Sequence, residues 1–148
     1  METMLKDWKL LKTGQLVGDF EGFNESKIYE LTDGSFYYQT EDKFHHCEMP
    51  DPVLKIYTDG TKQILVPEGL NDYTEIQETT AFRCKVMNDF RGWSGDTIFE
   101  LENGEWWKQD QYEFKYFYSY RPSVVIAKVG DCHILHVNGR NIRVKRLK

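Results

Sequence analysis

The sequence lacks any apolar run near the roughly 18 residues needed to span a bilayer. Met1–Trp8 has no basic stretch leading into an apolar core, so neither a secretory signal nor a membrane partner is expected. Cysteine is scarce: Cys47, Cys84 and Cys132 are odd in number and far apart, which gives no disulfide framework. Nucleophile elbows, glycine-rich phosphate loops and convincing helical periods are missing too. These absences predict a soluble cytoplasmic protein that is not an enzyme and needs no cofactor.

Aromatic side chains, by contrast, are plentiful. They make up 15% of the chain, with 4 Trp, 9 Tyr and 9 Phe. Such residues suit a pleated, half-buried surface and tilt the expectation toward sheet. Charge is also distinctive in its placement. Up to Glu78 there are 7 Lys+Arg against 16 Asp+Glu, a net −9; from Thr79 onward there are 12 against 8, a net +4. An acidic half therefore precedes a basic half, and two such halves are expected to attract each other.

The chain repeats itself. Asp19-Phe20-Glu21-Gly22-Phe23 recurs as Asp89-Phe90-Arg91-Gly92-Trp93, and Ile28-Tyr29-Glu30-Leu31 as Ile98-Phe99-Glu100-Leu101. Phe36-Tyr37-Tyr38-Gln39 matches Trp106-Trp107-Lys108-Gln109, and Pro52, Ile56, Gly60 and Gly69 match Pro122, Ile126, Gly130 and Gly139. All these pairs share an offset of 70 positions. Beyond Gly69 the register needs adjustment, with Thr74 and Ile76 matching Ile142 and Val144.

Short alternating runs separated by turn residues predict strands. Asp33-Gly34 and Asn103-Gly104 sit between such runs and predict hairpins with type I′ turns. Further hairpins are expected around Asp59-Gly60 and Gly130, with last strands over 73–77 and 141–146. Trp8, Leu10 and Leu11 suggest a short N-terminal turn. Five or six short strands in about 60 residues are too few for a sandwich, and closure would hide sheet edges. The expected fold is all-β, a tandem repeat of two small SH3-like β-barrel modules. The expected layout is a lead segment over 1–13, a first module over 14–79 and a second over 80–148.

The run from Gly92 through Trp93, Gly95-Asp96-Thr97-Ile98-Phe99, Leu101, Asn103-Gly104 and Trp107 to Gln109 resembles a motif of uncharacterised bacterial β-rich repeat proteins. In those proteins a Tyr-rich segment and a Pro-x-Val-x-Ile strand follow, as Tyr116–Ile126 do here. The resemblance implies a bacterial β-module and carries no known activity.

The aromatic cluster of the second half is the candidate binding surface. It comprises Trp93, Trp106, Trp107, Tyr112, Tyr116, Tyr118 and Tyr120, with Phe114 and Phe117 among them. Alternate residues of a strand share a face, so Tyr112, Phe114, Tyr116, Tyr118 and Tyr120 could line one side. Trp106 and Trp107 must point opposite ways. The cluster is either a groove that stacks rings of a ligand or filling for the small barrels and the seam between them. The equivalent stretch of the first half, Asp42–Pro50, is polar. The expected partner is a protein or peptide, with nucleic acid as the alternative through the same aromatics and the basic strand Arg140–Lys148. His45, His46, Cys47, Cys132, His133 and His136 are ligand types, but neighbouring residues of a strand face opposite ways, and no metal site is expected.

Overall fold

The computed structural model describes residues 5–148. It is all-β: sixteen strands and no helix among the described residues, hence no helix long and apolar enough to cross a membrane. The strands divide into two compact units, one ending at Thr79 and the other running Thr80–Lys148.

The first unit contains β1 (Lys9–Gln15), β2 (Phe20–Phe23), β3 (Ile28–Glu30), β4 (Phe36–Gln39), β5 (His45–Met49), β6 (Val53–Thr58), β7 (Gln63–Pro67) and β8 (Thr74–Thr79). Six of them form an antiparallel sheet in the order β1-β6-β7-β8-β4-β3, and β2 pairs with β5 in a separate ribbon. The second unit contains β9 (Ala81–Lys85), β10 (Trp93–Ser94), β11 (Ile98–Glu100), β12 (Trp106–Gln109), β13 (Phe114–Lys115), β14 (Ser123–Val129), β15 (Cys132–Val137) and β16 (Arg140–Arg146). Its sheet runs β9-β14-β15-β16-β12-β11, and its ribbon is β10-β13. Strand for strand, the two orders are the same.

The residues expected to form a lead segment are not outside the first unit. Lys9–Gln15 is a strand hydrogen-bonded to β6, with Gly14 opposite Leu54. Its polar, lysine-bearing composition hid it, because an edge strand needs no alternating apolar face. The short turn expected at Trp8, Leu10 and Leu11 is not formed there: Leu10 and Leu11 belong to β1, and a turn lies earlier, over residues 5–7.

Neither sheet closes as a continuous ladder. β1 and β3 remain the edges of the first sheet, and β9 and β11 those of the second. The edges meet at one antiparallel bridge per unit, Leu16 with Leu31 and Val86 with Leu101. Val17 N–H donates to Glu30 O at 2.8 Å and Thr32 N–H to Gln15 O at 2.9 Å; Met87 and Glu102 make the same bonds to Glu100 and Lys85 at 2.7 and 2.9 Å.

Each unit has its own core inside this bent sheet. Phe20, Tyr29, Leu31, Leu54, Ile56 and Leu65 are buried in the first, and Phe90, Phe99, Leu101, Val124, Ile126 and Leu135 at the same offset of 70 in the second. The exchanges keep volume nearly constant, the kind of change a packed core tolerates best. The offset drops after β7. Leu65 faces Thr74, whereas Leu135 faces Ile142, because a six-residue loop over 68–73 is replaced by Asn138-Gly139.

That Asn-Gly pair has positive φ at both residues, 49° and 75°, as a type I′ turn requires. The Asp33-Gly34 and Asn103-Gly104 turns do not. Only the glycines have positive φ, 90° and 91°. Gly34 N–H donates to Leu31 O and Leu31 N–H to Ser35 O, which is a type I turn followed by a left-handed glycine. The physical reason is the side chain before the glycine. Asp33 accepts from Ser35 N–H at 2.9 Å and Asn103 from Glu105 N–H at 3.0 Å, a bond two residues ahead that holds the turn in this form.

Candidate functional site

The site begins where β12 ends. Gln109 is buried, and its amide folds the chain beyond it. Its Nε2 donates to Gln111 O and Glu113 O, both at 2.8 Å, while its Oε1 accepts from Gly95 N–H at 2.9 Å. Gln39 does the same in the first unit, donating to Glu41 O and Lys43 O at 2.9 and 2.7 Å and accepting from Asn24 N–H at 2.8 Å. Sequence reading matched these glutamines across the repeat but gave them no role. A polar residue recurring at the end of an aromatic strand was the available signal.

The chain then crosses β10 very closely. A Cβ on Gly92, φ +83°, would lie 1.9 Å from Lys115 O, so only glycine permits the approach; Gly22 meets His45 O in the same way. Trp93 Nε1 donates to Glu113 Oε2 at 2.6 Å. The β10–β13 ladder pairs only Trp93 with Lys115 and Ser94 with Phe114, and one further bridge joins Phe90 to Ser119. Phe117 turns inward, its ring centroid 5.2 Å from Phe90 and 5.3 Å from Trp93, both edge-on.

With Phe117 inward, its even-numbered neighbours face solvent. Tyr112 is 85% exposed, Phe114 63%, Tyr116 74%, Tyr118 56% and Tyr120 76%. These values far exceed what a lone surface aromatic needs to explain it, because five rings lie on one short segment. Tyr112 and Phe114 touch edge-to-face at 5.2 Å.

Two of the tryptophans expected on the binding surface belong to the core instead. Trp93 and Trp107 are each 3% exposed. Both occupy positions that are buried aromatics in the first unit, Phe23 and Tyr37, so the framework claims them. Trp107 Nε1 donates to Glu105 at 2.9 Å, which satisfies its polar edge. Trp106 points the other way, as expected. It is half-buried, with the Lys148 ammonium 4.6 Å from its ring centre.

The first unit offers a different arrangement. Asp72 accepts from Lys43 Nζ at 2.6 Å and lies 2.6 Å from His45 Nδ1. Burial works against the Asp72 charge, yet the hydrogen bonds from Lys43 and His45 outweigh it and hold the carboxyl below its usual range. Lys43 also donates to Tyr73 O. The cluster clamps the 68–73 loop, the insertion that the second unit lacks. His46 reaches Glu48 at 3.8 Å, and the His133 ring lies tilted against Trp107 with centroids 5.0 Å apart. Among the described residues, no three His, Cys, Asp or Glu side chains are grouped to hold a metal.

A shallow depression of about 390 Å³ lies beside the β9 edge, lined by Arg83, Cys84, Lys85, Glu102, Asn103 and Ser123. It is wide open to solvent, unlike a typical small-molecule pocket, which encloses most of its ligand. No protein-family model, curated protein or solved structure matches the chain.

Proposed function

We propose that the chain is a non-catalytic binding or scaffold protein made of two tandem copies of one SH3-like β-barrel module, and that the second copy carries the ligand surface. The single observation behind it is the run of exposed rings at Tyr112, Phe114, Tyr116, Tyr118 and Tyr120. Folding gains nothing from leaving five aromatics in water, so the cost is offset by contact with something else. The repeat reading is supported by the shared strand order, the shared edge bridge and the shared buried glutamine.

Comparison of the copies supports the assignment to one unit. Phe114, Tyr116, Tyr118 and Tyr120 correspond to Phe44, His46, Glu48 and Pro50. The framework accepts His46 and Glu48 at two of these places, so the rings of Tyr116 and Tyr118 are not a requirement of the fold, while Phe44 is exposed as Phe114 is. A bacterial origin, as the motif from Gly92 to Gln109 implies, and a cytoplasmic setting belong to the same proposal. Three cysteines without a disulfide suit a reducing compartment.

The test is a panel of proline-rich peptides, acidic peptides and oligonucleotides titrated into the full chain while tyrosine and tryptophan emission is followed. Binding by at least one class, lost in a Tyr116→Ala/Tyr118→Ala variant that stays folded, is the expected result. Binding that survives the double substitution, or no binding by any class, overturns the proposal.

A further inference from the structure

The aromatic segment is accompanied along its length by arginines. Arg143 Nε donates to Asp110 O at 2.7 Å, and its backbone N–H donates to Gln111 Oε1 at 3.2 Å. The Arg140 guanidinium lies 4.4 Å from the Phe117 ring centre, and that of Arg121 lies 5.8 Å from the Tyr120 ring centre. Arg91 and Arg143 rest on carboxylates, Asp89 at 2.9 Å and Asp110 at 3.7 Å, pairs that a phosphate would have to displace, while Glu113 holds the Trp93 indole.

Three of these arginines replace acids. Arg91, Arg121 and Arg143 stand where the first unit has Glu21, Asp51 and Glu75. The positions are structurally equivalent. Asp51 and Arg121 both have positive φ, 20° and 39°, and Glu75 and Arg143 pair with Ile64 and Ile134. A carboxylate therefore serves the fold as well as a guanidinium does. Charge reversal and four gained tyrosines, Tyr112, Tyr116, Tyr118 and Tyr120, occur together in one unit.

We infer that this segment binds single-stranded nucleic acid, the rings of Tyr112, Phe114, Tyr116, Tyr118 and Tyr120 stacking on unpaired bases while Arg91, Arg121 and Arg143 hold the phosphates. The inference rests on the binding role proposed above and names its ligand. Base–aromatic stacking accepts any sequence because every base has a π-face, and cations beside the rings track the backbone. A duplex keeps its base faces stacked inside and offers the rings nothing. An acidic peptide satisfies the arginines but leaves the rings idle.

The experiment is fluorescence anisotropy with a labelled twelve-residue oligothymidylate, the same strand annealed to its complement, a polyglutamate peptide and a proline-rich peptide, each added to the full chain. Oligothymidylate is expected to bind more tightly than the other three. Three phosphate contacts give a log–log salt slope of about −2. Tyr116→Ala and Tyr118→Ala should each weaken binding about tenfold. Arg91→Glu with Arg121→Asp, which install the first unit's residues, should weaken it further and flatten the slope by one or more. Phe44→Ala should change nothing. Duplex or polyglutamate binding as tight as oligothymidylate, with no loss in Tyr116→Ala, overturns the inference in favour of a bare cationic patch. Peptide binding that Tyr116→Ala abolishes, with none to oligothymidylate, overturns the nucleic-acid ligand and leaves the binding surface standing. No binding by any of the four overturns both.

Discussion

Trp93 donates its indole N–H to the Glu113 carboxylate at 2.6 Å, so a buried ring of the core and the start of the exposed aromatic segment are joined by one charge-assisted bond. Removing the acceptor leaves that indole donor without its partner at the base of the segment. Glu113→Ala is expected to cost about 1–3 kcal/mol. Chemical denaturation checks it, and a loss under about 0.5 kcal/mol would show that the bond holds nothing.

The exposed rings themselves should be nearly free of folding consequence. Tyr116→Ala and Tyr118→Ala are expected to shift stability by no more than about 0.5 kcal/mol, the usual range for surface substitutions. Trp107→Ala, at a site 3% exposed, should cost about 3–5 kcal/mol. Thermal melts of the three variants separate surface from core directly. Equal losses in all three would contradict the division drawn here.

Gly92 and Gly104 share a backbone requirement but differ in space. Both have positive φ, 83° and 91°, yet only Gly92 has a carbonyl in the path of a Cβ. Gly104→Ala should cost about 1–2 kcal/mol, the strain of a left-handed alanine. Gly92→Ala should cost clearly more and separate β10 from β13. Comparison of denaturation midpoints, with the Trp93 emission as a local reporter, tests the ordering.

Asp72 gives the first unit a sensitivity to acid. Its carboxyl is held below the usual range, so the folded state binds the proton less readily than the unfolded chain does. The stabilisation is therefore present above the ordinary aspartate value of about 3.9 and is lost as pH falls through the lower folded value. Asp72→Asn should remove this part of the acid limb while leaving the rest of the profile in place. Urea midpoints between about pH 2 and pH 6 are the measurement, and an unchanged acid limb in the variant would refute the clamp.

The buried glutamines make a sharper case. In Gln109→Glu an ionised carboxylate cannot donate to Gln111 O and Glu113 O, whereas the protonated acid keeps one donor. Burial raises the new group's pKa, so the variant's stability should be greatest in acid and fall as pH rises through that raised value. Wild-type and Gln109→Leu protein should not show that fall between about pH 4 and pH 7.

Much of this was legible in the chain. The all-β class, the hairpins and the two-residue change of register after Gly69 follow from residue spacing, because turn chemistry and core alternation act locally. What escaped has a physical cause in each case. β1 is an edge strand whose polar residues carry no period, and β9 is five residues long with only Phe82 and Cys84 packed on the core. Asp33 and Asn103 made their turns type I through a side-chain bond that the dipeptide alone does not announce. Trp93 and Trp107 looked like ligand-binding rings, but burial depends on what the opposite strand supplies, and only their alignment with Phe23 and Tyr37 hinted at it. The five exposed rings alternate along the sequence, although β13 is just two residues long. Their exposure depends on Phe117 turning inward, a choice made in three dimensions.

The bridge that joins β1 to β3, and β9 to β11, fastens each wall with two hydrogen bonds, where neighbouring strands elsewhere share a ladder. Amide deuteration should therefore run on two clocks. Val17, Thr32, Met87 and Glu102 sit on the fast one, since unfastening the clasp strips little of the core, while Ile56, Leu65, Ile126 and Leu135 wait for global unfolding. Each unfastening also bares a strand edge to a passing chain. Lys9 and Lys12 on β1, with Arg83 and Lys85 on β9, place charge on those edges, where it discourages sheet-to-sheet growth. The basic residues of these two strands are thus guards on a door that opens more often than the rest of the wall.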